Sequence, residues 1–192
     1  MLLSIGVDVG SKIGAIAIIN ENLKVLELMK APYYITEIKS KKKKNLVLNK
    51  ETGKYEIAYR ERSWTDFKAL SDIYRPYIKK SNKIIYTVER VSVRPGEGET
   101  SSFIFGDSLG IHRGQYSLLQ PIAYYEPRPN DWKKVMGVTA NKETSIELAE
   151  SIFKVNLKDY VNKKSDKVDD IAESLLLAFY GMQEYFKEIG EI

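Results

Sequence analysis

Three apolar runs follow one another closely at the start of this 192-residue chain. They cover Leu2 to Val9, Ile13 to Asn20 and Leu23 to Met29, and only short polar breaks separate them. Strands joined by connections this short must pair as antiparallel hairpins. The first 30 residues therefore predict three antiparallel strands of one sheet.

Strand and helix patterns alternate after residue 63. Two more apolar runs, Lys83 to Glu89 and Ile122 to Glu126, are typical of buried strands. Helical spacing predicts five helices: Ser63 to Lys79 with Ser63 as its N-cap, residues 100 to 118, Asn130 to Met136, Lys142 to Phe153, and Lys167 to Lys187. The later strands are expected to run parallel to the first. The predicted fold class is α/β, a single domain over residues 1–192. Its mixed five-stranded sheet has three antiparallel and then two parallel strands, flanked by helices.

Residues 38–63 interrupt this alternation and are interpreted as an insertion. Leu46 to Leu48 precede a turn near Gly53, and apolar and polar residues alternate after it, which predicts a hairpin. The insertion also carries a dense basic cluster made of Lys39, Lys41, Lys42, Lys43 and Lys44. Such a run is compatible with a solvated loop or with contact to nucleic acid.

Composition narrows the possible chemistry. The chain has no cysteine and one histidine, His112, so a metal would have to be bound by carboxylates, which favours Mg²⁺ or Mn²⁺. His112 itself is expected at the surface or in an interface. The net charge of +4 permits a polyanionic partner. No apolar run approaches the length of a membrane span, and the N-terminus does not read as a signal peptide. We expect a protein of the cytoplasm, of a cell or of an infected host, without a membrane partner or a small-molecule cofactor.

Acidic residues stand where predicted elements should meet. Asp8 and Glu89 each end an apolar strand, where an unpaired charge is costly. Asp170 and Glu173 are three residues apart near the start of the last helix and share one of its faces. Taken singly, each could be a turn residue or a residue favoured by the helix dipole. Together they predict a carboxylate site for two divalent cations, with Asp169 as a further ligand or as the helix cap.

Four motifs, in order along the chain, resemble those of RuvC-type Holliday junction resolvases in the ribonuclease H-like superfamily. They are Gly6-Val-Asp8-Val-Gly10-Ser11; Val88-Glu89-Arg90 with Pro95-Gly-Glu-Gly98 and Phe103-Ile-Phe-Gly106; Asp131-Trp-Lys-Lys134 to Gly137 with Asn141-Lys-Glu143; and Lys167-Val-Asp-Asp-Ile-Ala-Glu-Ser174. The resemblance covers the whole chain except the insertion. It implies a ribonuclease H-like fold and a structure-selective endonuclease.

The resemblance also implies a set of functional residues. Asp8, Glu89, Asp170 and Glu173 would form a catalytic tetrad with two Mg²⁺ or Mn²⁺ ions. A homodimer would nick two opposed strands of a four-way DNA junction. Lys133 and Lys142 are candidates to approach the scissile phosphate. We add basic residues as candidate DNA contacts: Lys12, Lys41, Lys42, Lys43, Lys44, Arg90, Arg94 and Lys134.

The chain departs from the family pattern at two points. Glu173 stands where the family usually has Asp, and its longer side chain could alter the metal geometry. The aromatic residue that often follows the second-motif Glu is absent, since Arg90-Val91-Ser92 follows Glu89. Tyr55, Tyr59 or the basic hairpin are candidates to replace it.

Other interpretations remain open. Sugar kinases and actin-like ATPases begin with a similar strand and turn, but they need a second domain and a second phosphate loop, for which the chain is too short. A related nuclease acting on other branched DNA or on RNA–DNA hybrids is an alternative. A non-catalytic DNA-binding protein is another, although it would avoid clustered negative charge. Gly96 and Gly98 are interpreted as a hinge over the site. The regular spacing of Gly106, Gly110 and Gly114 is interpreted as a close helix contact, here a dimer interface.

Overall fold

A computed structural model describes residues 1–10, 12, 14–39, 46–57, 59–92, 96, 98–161 and 167–192. The strands are β1 (Leu2–Asp8), β2 (Ala15–Asn20), β3 (Val25–Lys30), β4 (Tyr33–Lys39), β5 (Leu46–Leu48), β6 (Tyr55–Ile57), β7 (Tyr59–Thr65), β8 (Lys83–Val88) and β9 (Ala123–Tyr125). The helices are α1 (Phe67–Tyr74), α2 (Glu99–Leu119), α3 (Pro129–Met136), α4 (Lys142–Phe153) and α5 (Val168–Glu188).

The central sheet has the strand order β3-β2-β1-β8-β9. β1 pairs antiparallel with β2, and β2 pairs antiparallel with β3. On the other side, β1 pairs parallel with β8, and β8 pairs parallel with β9. The predicted mixed sheet, with three antiparallel and then two parallel strands, is therefore confirmed. Because β1 and β8 run in the same direction, their carboxyl ends lie at one edge of the sheet.

Apolar side chains on the two faces of the sheet form two separate cores. One face packs against α4 and α5, and its core includes Ala15, Ile85 and Leu175. The other face packs against α1 and α2, and its core includes Ile5 and Leu109. Within the described ranges, no helix is both long enough and apolar enough to cross a bilayer.

Helix α5 lies in direct backbone contact with β1. A Cβ atom added at Gly6 would overlap backbone atoms of Ser174 and Ala178. The Ser4 hydroxyl donates a hydrogen bond of 2.6 Å to the carbonyl of Ala178 in the same region. Gly181 gives a second close approach, since a Cβ there would overlap the side chain of Thr87 on β8. Glycine at these positions lets the helix approach the strands and fixes its first turn at the edge where β1 and β8 end.

The insertion is a ribbon of two paired segments. β5 pairs antiparallel with β6 around the turn that contains Gly53, as the sequence predicted. The strand β4 was not predicted; it pairs with β7 from Tyr33↔Thr65 to Lys39↔Tyr59. The ribbon thus begins at residue 33 and ends at residue 65, and its paired strands extend beyond the predicted insertion of residues 38–63 at both ends. It is anchored at its base by a buried hydrogen bond of 2.9 Å from the Thr65 hydroxyl to the hydroxyl of Ser108.

The prediction of a helix from Ser63 to Lys79 was wrong at both ends. Strand β7 continues to Thr65, and the N-cap of α1 is Asp66, whose side chain accepts hydrogen bonds from the amides of Lys68 and Ala69. The helix stops at Tyr74 and passes into a short 3-10 turn that contains Pro76. Pro76 has no N–H group to donate to the carbonyl four residues before it, so it cannot continue the α-helical hydrogen-bond pattern, and apolar spacing alone overestimated the length of this helix.

His112 was expected at the surface or in an interface but is buried within the chain. It lies on α2 with no exposed area, and neither of its ring nitrogens has a hydrogen-bond partner in the part of the chain that the structure describes. Burial lowers the pKa of His112 to about 4. The glycines at 106, 110 and 114 on the same helix are solvent-exposed, with no described atom within 4 Å of an added Cβ.

Candidate active site

Asp8 and Glu89 lie at the carboxyl ends of neighbouring parallel strands. Val7 and Val88 are register partners, so the residues that follow them emerge side by side. The amide of Glu89 donates a hydrogen bond of 2.9 Å to the carbonyl of Val7, which extends this pairing by one residue. The sheet itself therefore brings the two carboxylates together.

Helix α5 adds acidic side chains from above the same edge. Asp170 and Glu173 lie on its first turns, and their side chains are 10% and 14% exposed. Asp169 is next to them in the first turn. The N-cap position belongs to Lys167, so the alternative role of Asp169 as helix cap is wrong. The structure thus brings together all five predicted metal ligands around one cleft.

The electrostatics of Asp8 reflect this crowding. Burial, followed by the negative charges of Glu89, Asp170 and Glu173, raises the pKa of Asp8 well above its usual value. Burial also raises the pKa of Asp170, while an ammonium group beside it, Lys30, opposes the shift. A carboxyl group surrounded by like charges is stabilised in its ionised form when a cation is present.

Three lysines are paired with the acidic residues. Lys30 Nζ lies 2.6 Å from an Asp170 oxygen, and Lys133 Nζ lies 2.7 Å from Glu173 Oε1. Lys142 forms an ion pair with Asp169 at the more exposed side of the cleft. Lys133 and Lys142, the predicted basic residues, are thus in the cleft, whereas Lys30 was not predicted from the sequence.

Uncharged side chains position two of the carboxylates. The indole of Trp132, which is fully buried, donates a hydrogen bond of 2.8 Å to Glu89 Oε1. The Ser145 hydroxyl lies 3.4 Å from Glu173 Oε1. The ammonium of Lys133 also lies 5.2 Å from the centre of the Trp132 ring. These contacts engage Glu89 Oε1 and Glu173 Oε1 and so restrict the rotamers of the two side chains.

A cleft of about 930 Å³ opens over the carboxylates. Four exposed cations line it: Arg90, Arg128, Lys142 and Lys167. The Arg90 side chain is 52% exposed and lies 4.0 Å from Glu126. Acidic groups at the base and basic groups at the rim suit a ligand that is itself anionic and binds together with cations.

The remaining predicted DNA contacts are distributed differently. Lys12 and Lys134 are exposed and are not among the residues that line the cleft. Lys41, Lys42, Lys43, Lys44 and Arg94 lie outside the described residues, as do the side chains of Tyr55 and Tyr59. Gly98 directly precedes α2, and Gly96 has a positive φ of 83°, which favours glycine.

The donor set fits a hard divalent cation. Every predicted ligand is a carboxylate, the type of oxygen ligand that Mg²⁺ and Mn²⁺ prefer. Among the described residues, however, no three acidic side chains are already arranged around a point that would hold an ion. Lys30 and Lys133 are hydrogen-bonded to Asp170 and Glu173 instead. A bound cation would have to share or replace these ammonium contacts.

Sequence reasoning missed Lys30, Trp132, Ser145 and Arg128. Trp132 and Arg128 were within reach, because Trp132 lies inside the basic segment that resembles the family motif and Arg128 lies three residues before it. Lys30 had no such signal, since it is an ordinary lysine at the end of a strand. Only its hydrogen bond to Asp170 places it in the site. Its role depends on a contact between residues 140 positions apart.

The architecture is that of the ribonuclease H-like α/β class, a mixed five-stranded sheet with a carboxylate edge. Among solved structures, the chain is similar to Thermus thermophilus RuvC in complex with a Holliday junction substrate. The TM-score is 0.54 and the identity 10%, with 99% of this chain and 97% of that chain covered. A second Thermus thermophilus RuvC structure matches with a TM-score of 0.50 and 12% identity, covering 98% and 96%. The chain therefore has the RuvC fold, and the resemblance predicted from the motifs is confirmed for the fold. No protein-family model matches the sequence, and no curated protein sequence matches it.

Proposed function

We propose that this protein is a metal-dependent endonuclease that cuts branched DNA, with the four-way junction as its substrate. The observation that carries the proposal is the meeting of four carboxylates, from the ends of β1 and β8 and from the first turns of α5, beneath a rim of cations. A site of this composition suits hydrolysis of a phosphodiester, whose backbone is anionic and binds cations.

Asp8, Glu89, Asp170 and Glu173 would hold two Mg²⁺ or Mn²⁺ ions, with Asp169 beside them. When bound, such ions activate a water molecule and stabilise the charge on the leaving oxygen. The surrounding residues have their own tasks. Trp132 donates a hydrogen bond to Glu89 Oε1 and so would help to hold this carboxylate in place at the cleft.

Cationic side chains would orient the DNA. Arg90 and Arg128 line the cleft and are exposed, so they can contact phosphates on either side of the cut. Lys133 is only 26% exposed and lies against Glu173, which makes it a candidate to contact the scissile phosphate. Lys142 lies further out, paired with Asp169, and would contact the same DNA strand at the rim of the cleft.

The choice of a junction as substrate rests on likeness. One similar structure is described as RuvC in complex with a Holliday junction substrate, and this chain covers 97% of it. A four-way junction is two-fold symmetric, so a homodimer of this chain would present two clefts to two opposed strands. We further propose that the protein acts in the cytoplasm of a cell or of an infected host.

The site assignment is tested by Asp8→Asn. The variant should bind junction DNA with wild-type affinity but lose Mg²⁺-dependent cleavage by at least about 1,000-fold, because the isosteric amide removes a charge from the metal ligands. Asp72→Asn is the matched control, since Asp72 is a surface residue of α1 that pairs with Lys68. Cleavage by Asp8→Asn at the rate of the control would exclude the assignment.

The substrate assignment needs a separate comparison. Four-way junctions, three-way forks, linear duplex and RNA–DNA hybrid are each incubated with the wild-type protein and Mg²⁺. Paired, symmetric nicks on the four-way junction alone are expected. Preference for the hybrid or for forks would instead identify another nuclease of the same fold. Binding without cleavage of any substrate would favour a non-catalytic DNA-binding protein.

A further inference from the structure

Lys30 lies in one row with the site residue Asp8 across three strands. Asp8 pairs with Ala15 on β2, and Ala15 pairs with Lys30 on β3. Directly opposed residues of antiparallel strands point to the same face of the sheet. Ala15 packs in the core beneath α5, so all three side chains are on the α5 face. Because Ala15 is small, the Lys30 side chain can cross above it towards the first turn of α5.

The contact that Lys30 makes there is short and shielded. Its ammonium lies 2.6 Å from Asp170 Oδ2, and the two side chains are 18% and 10% exposed. Solvent therefore screens this pair far less than the Lys68–Asp72 pair, whose side chains are 80% and 49% exposed. Lys30 is thus an element of the site rather than a surface ion pair.

The charge of Lys30 affects how many divalent cations the site can hold. Four carboxylates, Asp8, Glu89, Asp170 and Glu173, surround the base of the cleft, and all are ionised when they bind a metal. Lys30 and Lys133 each contribute one positive charge in direct contact with them. Asp169 does not change the sum, because its charge is balanced by its ion-pair partner Lys142. Two negative charges remain, which one divalent cation neutralises. A second divalent cation would leave the site with an excess of two positive charges.

We propose that Lys30 is a built-in counter-cation of the metal centre. It holds Asp170 in place and limits the protein without DNA to one tightly bound divalent ion. The second ion then binds only when a phosphate of the DNA adds its negative charge. This inference rests on the proposed function and specifies how that site controls its metal content. Lys30 acts through Asp170 and is in this sense a positioning residue.

The test is a count of bound Mn²⁺ without DNA, by electron paramagnetic resonance of the free ion. The wild-type chain should bind one Mn²⁺ tightly. Lys30→Met should bind the first ion about tenfold more tightly and take up a second ion, because it removes a unit charge near the site. Lys30→Arg keeps the charge and should again bind one ion.

Lys24→Met is the control for net charge. Lys24 precedes β3 at the opposite end of the same strand and is exposed, so its loss should leave Mn²⁺ binding unchanged. Two equivalent Mn²⁺ ions in the wild-type protein, or unchanged or weaker Mn²⁺ binding by folded Lys30→Met, would overturn the inference. If the wild-type protein binds no Mn²⁺ at all, the proposed function fails with it. If it binds one ion but cuts no DNA, only the proposed function fails.

Discussion

At the scale of single residues, the buried histidine His112 carries an energetic cost that the rest of the chain must offset. Its ring is fully buried on the inner side of α2, and within the described residues neither ring nitrogen has a hydrogen-bond partner. Its backbone carbonyl, by contrast, accepts a hydrogen bond of 3.0 Å from the Tyr86 hydroxyl. The side chain is tolerated because the neutral form is only moderately polar.

This burial predicts a pH dependence of stability. The pKa of His112 is about 4 in the folded protein, below its usual value of 6.5, so the unfolded chain binds the proton more readily. The contribution of the neutral, buried His112 to stability is fully present above pH 6.5. About 3 kcal/mol of stability is lost as the pH falls towards 4. Urea denaturation of wild type and His112→Leu at several pH values measures the difference. If the free energies of unfolding of the two proteins fall in parallel between pH 7 and pH 4, His112 does not cause the loss of stability.

Residue patterns identified the acidic side chains of the site, and the family resemblance added Lys133 and Lys142, but neither identified Lys30. Asp8 and Glu89 could be found because a charge that ends an apolar strand is conspicuous, and Asp170 and Glu173 because three-residue spacing fixes a helix face. Lys30 could not be found, since one lysine at a strand end is ordinary. Only the folded sheet, which sets Lys30 opposite Ala15 and Asp8, gives it a partner.

At the scale of elements, the ribbon from β4 to β7 separates the charge of the molecule into two parts. Residues 33–65 contain nine lysines and arginines and four glutamates, while the rest of the chain contains 21 basic and 22 acidic residues. The ribbon starts three residues after Lys30, at the edge of the sheet that carries the site. The seven residues of β4 span about 23 Å. The positive excess of the chain thus belongs to an element rooted beside the cleft.

Excision of the outer part of the ribbon tests its role in DNA binding. Lys39 and Tyr59 are the last paired residues of β4 and β7, so an Asn-Gly turn can replace residues 40–58 without altering the remaining register. The change removes six lysines and two glutamates. In an Asp8→Asn background, junction affinity should fall and log K should depend less steeply on log salt, by about 0.9 for each phosphate that the shortened ribbon no longer neutralises.

Four lysines at the opposite edge provide the control for this excision. Lys24, Lys79, Lys80 and Lys83 are exposed, and their replacement by glutamine removes the same net charge. The salt slope of this control should match that of the wild type. An equal loss of affinity in both variants would mean that net charge alone, and not the ribbon, sets DNA affinity.

The ribbon also marks where sequence patterns were insufficient. Tyr33 to Lys39 has no strict alternation of apolar and polar residues, and it becomes a strand by pairing with β7. Ser63 and Trp64 fit helical spacing with the residues that follow, yet their pairing with β4 keeps them in a strand. Tertiary pairing decided both segments, and local propensity is a weak predictor in such cases.

At the scale of the whole molecule, the exposed glycine face of α2 is the surface on which we place the proposed dimer contact. Gly106, Gly110 and Gly114 leave this side of the helix without side chains that would hold a second helix away. Light scattering should find a dimer at micromolar concentration, and Gly110→Arg should reduce it to a monomer. Gly110→Ala is the control and should remain dimeric. The arginine variant should make single nicks in place of paired ones. A monomeric wild-type protein would exclude this surface and the dimer together.

The fold of the whole molecule was predictable because few topologies satisfy its first three strands. Two short connections force the hairpins of β1, β2 and β3, and right-handed connections then order the later strands. The likeness to RuvC at 10% identity has the same basis. Topology depends on the lengths and order of elements, whereas the paired lysines depend on individual side chains.

The backbone contact of α5 with β1 at Gly6 limits how this site can adapt to what it binds. No side chain lies between the strand and the helix at Gly6, so no rotamer change there can alter the spacing of Asp8 from Asp170 and Glu173. Main-chain contacts therefore set the distance between the strand that carries Asp8 and the helix that carries Asp170 and Glu173. Under the proposed function, we therefore expect the DNA to bend until its phosphate fits the site.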